Sequence, residues 1–265
     1  MAAVDYRGQT TLVTGASAGI GIELADVLAE RGSDLVLVAR RRERLEEIER
    51  QITARHGTAV HVVPLDLAEP APGARIVEAI GGDKITSVVN NAGFGTFGPF
   101  HEEDPERLRE EIAVDVSAVV DISRTFIGQL RKSGQGVLVN VASMVAYQPA
   151  PNMAVYGAAK TFVLNFTEAL WHESQGTGLK VMAVSPGATQ TEFFDVVGNP
   201  AASGGARLRS PREVAETTLS ALDRRTPPPS IAVGRGNRLA AALAPRLLSS
   251  RQRGRLIRRL TTRAA

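Results

Sequence analysis

The sequence predicts a doubly wound α/β domain built on a mainly seven-stranded parallel sheet. Three observations carry this expectation. A strand–turn–helix–strand unit of about 30 residues opens the chain, with glycines at its first turn. Short apolar runs then alternate with helical patterns as far as residue 233, seven such runs in all. At 265 residues and 43 % hydrophobic content, the chain suits one domain with a full core.

The elements follow in order. Thr10–Thr14 (TTLVT) reads as the first strand. Gly15-Ala-Ser17-Ala-Gly19-Ile20-Gly21 follows at once and enters an amphipathic helix through about Glu30. Gly32 stops that helix, and Asp34–Ala39 (DLVLVA) is the second strand. Glycines are needed at such a turn because it is tight and its backbone must come close to a pyrophosphate. The helix N-terminus supplies unpaired N–H groups and a positive dipole end to that anion.

Arg41–Arg50 reads as a solvated helix and Ala59–Val63 as a third strand, which leads into Pro64-Leu65-Asp66-Leu67. A linker at Pro70–Gly73 precedes a short helix, Ala74–Ile80, and Ile85–Val89 is the fourth strand, ending in Asn90-Asn91-Ala92-Gly93. Pro105 to Lys132 reads as one long helix, with a broad apolar stripe from Leu108 to Leu130. Val137–Val141 is the fifth strand. Asn152 is a suitable N-cap for a helix running from Met153 to near Gly176. Leu179–Val184 is the sixth strand and delivers Ser185-Pro186-Gly187-Ala188-Thr189-Gln190-Thr191. Beyond it, Glu192-Phe193-Phe194 and the small-residue stretch Gly198–Gly205 read as a loop that serves as lid and specificity segment. Pro211 opens a helix to about Asp223, and Ser230–Val233 is the last strand.

Chemistry concentrates between Asn140 and Lys160. Tyr156 and Lys160 stand four residues apart, on one helix face and one turn apart. A free phenol has a pKa of about 10, and a cation within roughly 4–6 Å lowers it toward the range useful for general acid–base work. Ser143, arriving from the end of the fifth strand, can donate a hydrogen bond to the same substrate oxygen.

TGxxxGIG at Thr14 to Gly21, NNAG at 90–93, Ser143 with Tyr156-xxx-Lys160, and PGxxxT at 186–191 occur together and in this order. The chain therefore resembles the short-chain dehydrogenases/reductases over residues 14 to 191. The resemblance implies a Rossmann-type domain and a nicotinamide cofactor lying across the strand ends. It further implies that Asp66 of the Asp66-Leu67 pair meets the adenine amino group, although an Asp capping the next turn would read the same. Asn91, Ala92 and Gly93 would lie against the cofactor and brace the sheet. Thr191 would reach the nicotinamide carboxamide, beside Pro186, Gly187 and Thr189. Tyr156 would act as general acid/base, and Lys160 would hold the nicotinamide ribose and lower the Tyr pKa. Asp115 falls where the family places an Asn that completes a Ser-Tyr-Lys-Asn tetrad. An ionised Asp accepts hydrogen bonds but cannot donate, and its charge would raise the Tyr156 pKa if close. The family also commonly builds a homodimer or homotetramer on the two long helices. The second strand ends in Arg40-Arg41-Arg42, and an Arg after this strand accommodates a 2′-phosphate. That favours NADP(H), with Arg40 the first choice and Ser17 or Arg41 as helpers.

Composition removes other classes. Without cysteine there are no disulfides, no thiolate catalysis and no Cys-type metal sites, as in a reducing cytoplasm. Four scattered His carry no metal-ligand spacing, so no metal is expected. Mean hydropathy is −0.04, no run nears 18 uninterrupted apolar residues, and MAAVDYRGQT holds no apolar leader. A cytoplasmic protein is the expectation.

Residues 1–234 are expected to form the catalytic domain and 235–265 a separate basic tail. The tail carries nine Arg, no Lys and no acidic residue, so the net charge of +3 leaves the rest at −6. Leu239, Leu243, Leu247, Leu248, Leu256, Ile257 and Leu260 alternate with Arg in two helical segments divided near Pro245 and Gly254. Such a pattern suits peripheral membrane contact, partner docking, or a helix packed on its own domain with Arg outward. Nucleic acid is not expected, because no aromatic platform is interleaved with the charges. The reading is an NADPH-dependent oxidoreductase interconverting a small-molecule carbonyl and a secondary alcohol, with a hydrophobic or lipid-like substrate suited to the apolar lid and basic tail. Its pocket is shaped by the 192–210 loop and by Phe94, Met144 and Gln148. The alternative is an NADPH-binding regulator or scaffold acting through the tail.

Overall fold

The computed structural model describes residues 4–82, 84–203 and 205–264, and only the backbone of residue 200 and of residues 260–264. The expected apolar role of Leu260 lies outside the described side chains, and Ala265 outside the described residues.

Seven strands form one parallel sheet: β1 (Thr10–Thr14), β2 (Asp34–Ala39), β3 (Val60–Pro64), β4 (Ser87–Asn90), β5 (Val137–Val141), β6 (Lys180–Ser185) and β7 (Ser230–Ala232). Their order is β3-β2-β1-β4-β5-β6-β7. The winding reverses between β1, paired with β2 on one side, and β4 on the other. A crevice opens outside the carboxyl ends of strands at such a reversal.

The helices are α1 (Gly19–Glu30), α2 (Arg42–His56), α3 (Pro72–Ala79), α4 (Pro105–Ile112), α5 (Ala118–Ser133), α6 (Ala154–Glu173), α7 (Phe193–Val197), α8 (Pro211–Leu222), α9 (Arg235–Leu247) and α10 (Ser250–Ala264). Alternate strand residues point to opposite faces, so a sheet covered on both sides needs apolar residues at every position. Val13, Leu35, Leu37, Val139 and Met182 pack with Leu24, Leu28, Ile48 and Leu219 on one face. Leu12, Val36, Val88, Leu138 and Val181 pack with Ile76, Ile122, Phe126 and Leu130 on the other. A buried polar seam ties the centre together. Asn90 donates to Asn140 Oδ1 at 2.9 Å and to Ser123 at 3.1 Å, and Asn140 donates to Thr167 at 2.9 Å.

Four local expectations are corrected. Asn152 does not cap α6: it sits at φ 65°, a left-handed turn position that Asn tolerates, and Met153 is the N-cap. The helix beginning at Pro105 is not regular, because Ala113–Ser117 forms a π turn between α4 and α5. The 192–210 stretch carries α7 and a 3₁₀ turn at Pro200–Ser203. The tail divides at neither Pro245 nor Gly254. Pro245 lies inside the last turn of α9, where it removes the one bond its N–H would have made to the carbonyl four residues earlier without ending the helix. The break falls at Leu248–Ser249, where Ser249 Oγ accepts from Gln252 N and Gln252 Oε1 accepts from Ser249 N. This reciprocal pair is a capping box that starts α10. Gly254 is instead a point of close approach to Pro149.

Candidate active site

A cleft of about 680 Å³ opens along the carboxyl ends of the strands. At its β1 end the chain turns at Gly15, φ +65°, and Gly19, φ +52°. A Cβ on Gly15 would stand 2.8 Å from Ala92 Cα, and one on Gly19 2.6 Å from Thr191 Cγ2. Glycine is therefore needed at both for space as well as for backbone conformation. The α1 N-cap, Ala18, makes no side-chain hydrogen bond to the first turn of that helix, the end that favours an anion. Thr14 Oγ1 accepts from Asn91 N and Ala92 N, both at 3.0 Å, which pins the NNAG segment beside this turn. The cradle suits a dinucleotide pyrophosphate: its wall is backbone and glycine.

The reactive groups lie at the β5 end. Ser143, Tyr156 and Lys160 all line the cleft. Lys160 Nζ donates to Val141 O at 3.2 Å and lies 5.6 Å from the centre of the Tyr156 ring. It also pairs with Asp115 Oδ2 at 3.1 Å, their side chains 4 % and 0 % exposed. Asp115 Oδ1 accepts from Phe94 N at 3.0 Å. Asp115 thus touches Lys160 directly and stands behind the cleft wall, and the π turn carries it. π turns recur at functional sites.

Burial pushes the Tyr156 phenol up; Lys160 and a Ser143 hydrogen bond pull it down, while Asp115 pushes it up again. The net direction is upward, so the lowering expected from Lys160 alone is outweighed. Burial also raises the Asp115 carboxyl, against the pull of Lys160. For Lys160, burial favours the neutral amine, but Asp115 and Tyr156 prevail and the ammonium is held.

The other sequence-predicted residues fall around the same cleft. Ser17, Ile20, Arg40, Asp66 and Leu67 line its β1–β3 side, Gly93 its middle, and Pro186, Gly187, Thr189 and Thr191 its β6 side. Gly21 packs behind, where a Cβ would strike Gly15 O. Asp66 Oδ1 accepts from Ala68 N at 2.9 Å and so caps the turn that follows it. Arg40 is exposed at the rim and, among the described residues, has no hydrogen-bond or ion-pair partner. Arg41 is committed elsewhere: it donates to Ser17 O at 3.0 Å and pairs with Glu192 at 2.9 Å.

Several cleft residues carried no sequence signal. Asn237 packs on Gly187, Ala240 and Ile257 line the cleft, and Arg253 donates to Tyr147 O at 2.6 Å. The tail is thereby a wall of the site. Glu111, one turn before Asp115, is fully buried and has no signature that marks it. Among the described residues, no group of three His, Asp or Glu could hold a metal ion.

The short chain dehydrogenase family model matches residues 9–200. The 7beta-hydroxysteroid dehydrogenase of Clostridium sardiniense is 30 % identical over 187 residues, 71 % of this chain and 72 % of that protein. A short-chain dehydrogenase from Sphingobium yanoikuyae, solved in complex with NADPH, superposes with a TM-score of 0.80 at 32 % identity, covering 88 % of this chain and 92 % of the other. A solved 7beta-hydroxysteroid dehydrogenase matches at 24 % identity with a TM-score of 0.85 over 97 % of this chain and 99 % of its own, a likeness of fold that takes in most of the tail. With the match spanning most of the chain and every motif placed around one cleft, the protein belongs to the short-chain dehydrogenase/reductase family.

Proposed function

We propose that the protein is an NADPH-dependent oxidoreductase that interconverts a carbonyl and a secondary alcohol, with Tyr156 as general acid/base. The observation that carries this is the convergence of Ser143, Tyr156 and Lys160 on the cleft that also holds the glycine cradle. When bound, the nicotinamide supplies or accepts the hydride. Tyr156 gives its phenolic proton to the substrate oxygen on reduction and takes it back on oxidation. Ser143 holds that oxygen by a hydrogen bond, and the Lys160 ammonium favours the phenolate that forms. The free guanidinium of Arg40 takes the 2′-phosphate, which favours NADP(H) over NAD(H).

The substrate is hydrophobic. Phe94, Met144, Phe193, Phe194 and Val196 line the cleft beside Tyr156, whose ring lies 5.2 Å from that of Phe193. Similarity to a hydroxysteroid dehydrogenase points the same way. Loss of NADPH absorbance with a panel of ketones and aldehydes tests the reading. In Tyr156→Phe, turnover should fall by about 10²–10⁴-fold while NADPH affinity stays nearly intact. Full activity in that variant discards the assignment. A protein that binds NADPH but reduces nothing would instead be a regulator or scaffold.

Two surfaces extend the proposal. Ile112 and Phe162 are 45 % and 43 % exposed on α4 and α6, and Phe162 stacks on Phe166. These helices form a homodimer or homotetramer interface, which Phe162→Glu should break in sedimentation velocity. The exposed Leu239, Leu243 and Leu247 on α9, set among Arg, form a peripheral membrane contact. Co-sedimentation with anionic vesicles tests that contact.

A further inference from the structure

Glu111 is fully buried, and neither carboxyl oxygen has a hydrogen-bond partner among the described residues. It stands four residues before Asp115, hence one helical turn away, where α4 passes into the π turn. Asp115 in turn meets Lys160 at 3.1 Å. Gly93, which lines the cleft, packs directly on the ion pair: a Cβ there would lie 2.8 Å from Lys160 Nζ and 2.9 Å from Asp115 Oδ1.

The buried charges do not balance if every group is ionised. One ammonium offsets one carboxylate, and a second carboxylate one turn away stays uncompensated in a water-poor interior. Two neighbouring carboxyls in such a place hold one proton between them. The other groups facing Glu111 act in both directions. Asp115 and Glu103 oppose its charge, whereas nearby Thr96 and the Lys160 ammonium favour it. Burial is the largest influence and lifts the carboxyl to about 7. Arg107, four residues before Glu111, is spent on the Phe94 ring and Glu110.

We propose that Glu111 and Asp115 form a proton-sharing carboxyl pair that resupplies the Lys160–Tyr156 site from behind the cleft wall. The proposal rests on the oxidoreductase reading. In carbonyl reduction the Tyr156 O–H bond breaks and the substrate oxygen gains the proton, while the hydride comes from the nicotinamide cofactor. Tyr156 regains a proton on its Lys160 side, Lys160 regains one from the carboxyl pair, and the pair takes one from solvent. Oxidation runs the same transfers backward. An Asn at position 115 could not hold a proton in this way, and a Gln at 111 could not supply one. Glu111 is a relay residue rather than a catalytic one, since it touches neither cleft nor substrate.

The test pairs Glu111→Gln with carboxyl-labelled NMR of the cofactor-free protein. In the parent, Glu111 should titrate near neutral pH and move toward the ordinary carboxylate range in Asp115→Asn. In Glu111→Gln, kcat should fall about tenfold with KM unchanged, and the neutral ionisation should vanish from the kcat–pH profile. A Glu111 resonance titrating near 4.5 in the parent overturns the proposal, as does a Glu111→Gln enzyme with the parent's pH profile. The NMR result stands even if no carbonyl is reduced, so failure of the relay and failure of the oxidoreductase reading remain distinguishable.

Discussion

Asp115 shows how one atom type changes a site. An Asn at this position would face Lys160 as a neutral dipole, whereas Asp115 forms a buried ion pair with it. Removing one partner of such a pair strands the other charge in the interior and typically costs about 3–5 kcal/mol. Asp115→Ala should therefore lower the denaturant midpoint by a large fraction of total stability at neutral pH. A variant as stable as the parent would show that Lys160 does not depend on Asp115 for its counter-charge. Arg40 is the second residue-scale case. Among the described residues its guanidinium has no hydrogen-bond or ion-pair partner, so its binding capacity is available to a phosphate. Arg40→Asp removes a charge-assisted bond and adds repulsion, and should weaken NADPH by roughly 10–100-fold while leaving NADH little changed. Titration of both cofactors by nicotinamide fluorescence decides the matter; equal affinity of the unmutated protein for both would contradict it. Sequence alone names these positions but not their contacts. That Asp115 reaches Lys160 depends on the π turn, which no side-chain pattern around Ala113 encodes.

The glycine turn is where element and site are one object. Gly19 holds φ +52° with Thr191 packed where its side chain would be. Left-handed backbone costs a residue with a Cβ about 1–2 kcal/mol. Gly19→Ala should destabilise the protein by at least that much, seen in urea unfolding. It should also push Thr191 outward and weaken NADPH binding in the same fluorescence titration. Unchanged stability and affinity would mean that the turn relaxes freely. Elements of this kind were legible because their causes are local. The central strands are buried on both faces and so read as mainly apolar runs, and Gly15 and Gly19 sit where only glycine fits. Asn152 misled for a related reason: the residue type that caps helices also accepts left-handed turns, and only tertiary contact chose between them. Here Gly98 N donates to Asn152 O at 2.9 Å and holds that turn. The start of α10 was readable in principle from the Ser249–Gln252 spacing, but Pro245 and Gly254 are louder signals.

At the scale of the molecule, charge and burial separate the tail from the body without detaching it. The tail's +9 faces a remainder of −6, and Arg253, Asn237 and Ile257 fasten or line the cleft. Leu239, Leu243 and Leu247 on α9 stay exposed, at 61 %, 39 % and 72 %. Spaced four apart, these leucines form one apolar stripe on a helix whose only charged residues are Arg. An anionic bilayer matches both features: each Arg near such a surface contributes about 1 kcal/mol, and the leucines bury in the interface. Because α9 also borders the cleft at Ala240, a membrane-borne apolar carbonyl would meet the site at the docking face. Truncating the tail would remove part of the cleft wall, so the decisive variant is Leu243→Glu with Leu247→Glu, which alters only the exposed stripe. The parent should co-sediment with vesicles containing phosphatidylserine at 0.1 M salt and be released near 1 M, where screening shortens from about 10 Å to about 3 Å. The double variant should stay in the supernatant at both salts while reducing a water-soluble ketone as the parent does. Equal partitioning of parent and variant would assign the stripe to something other than lipid.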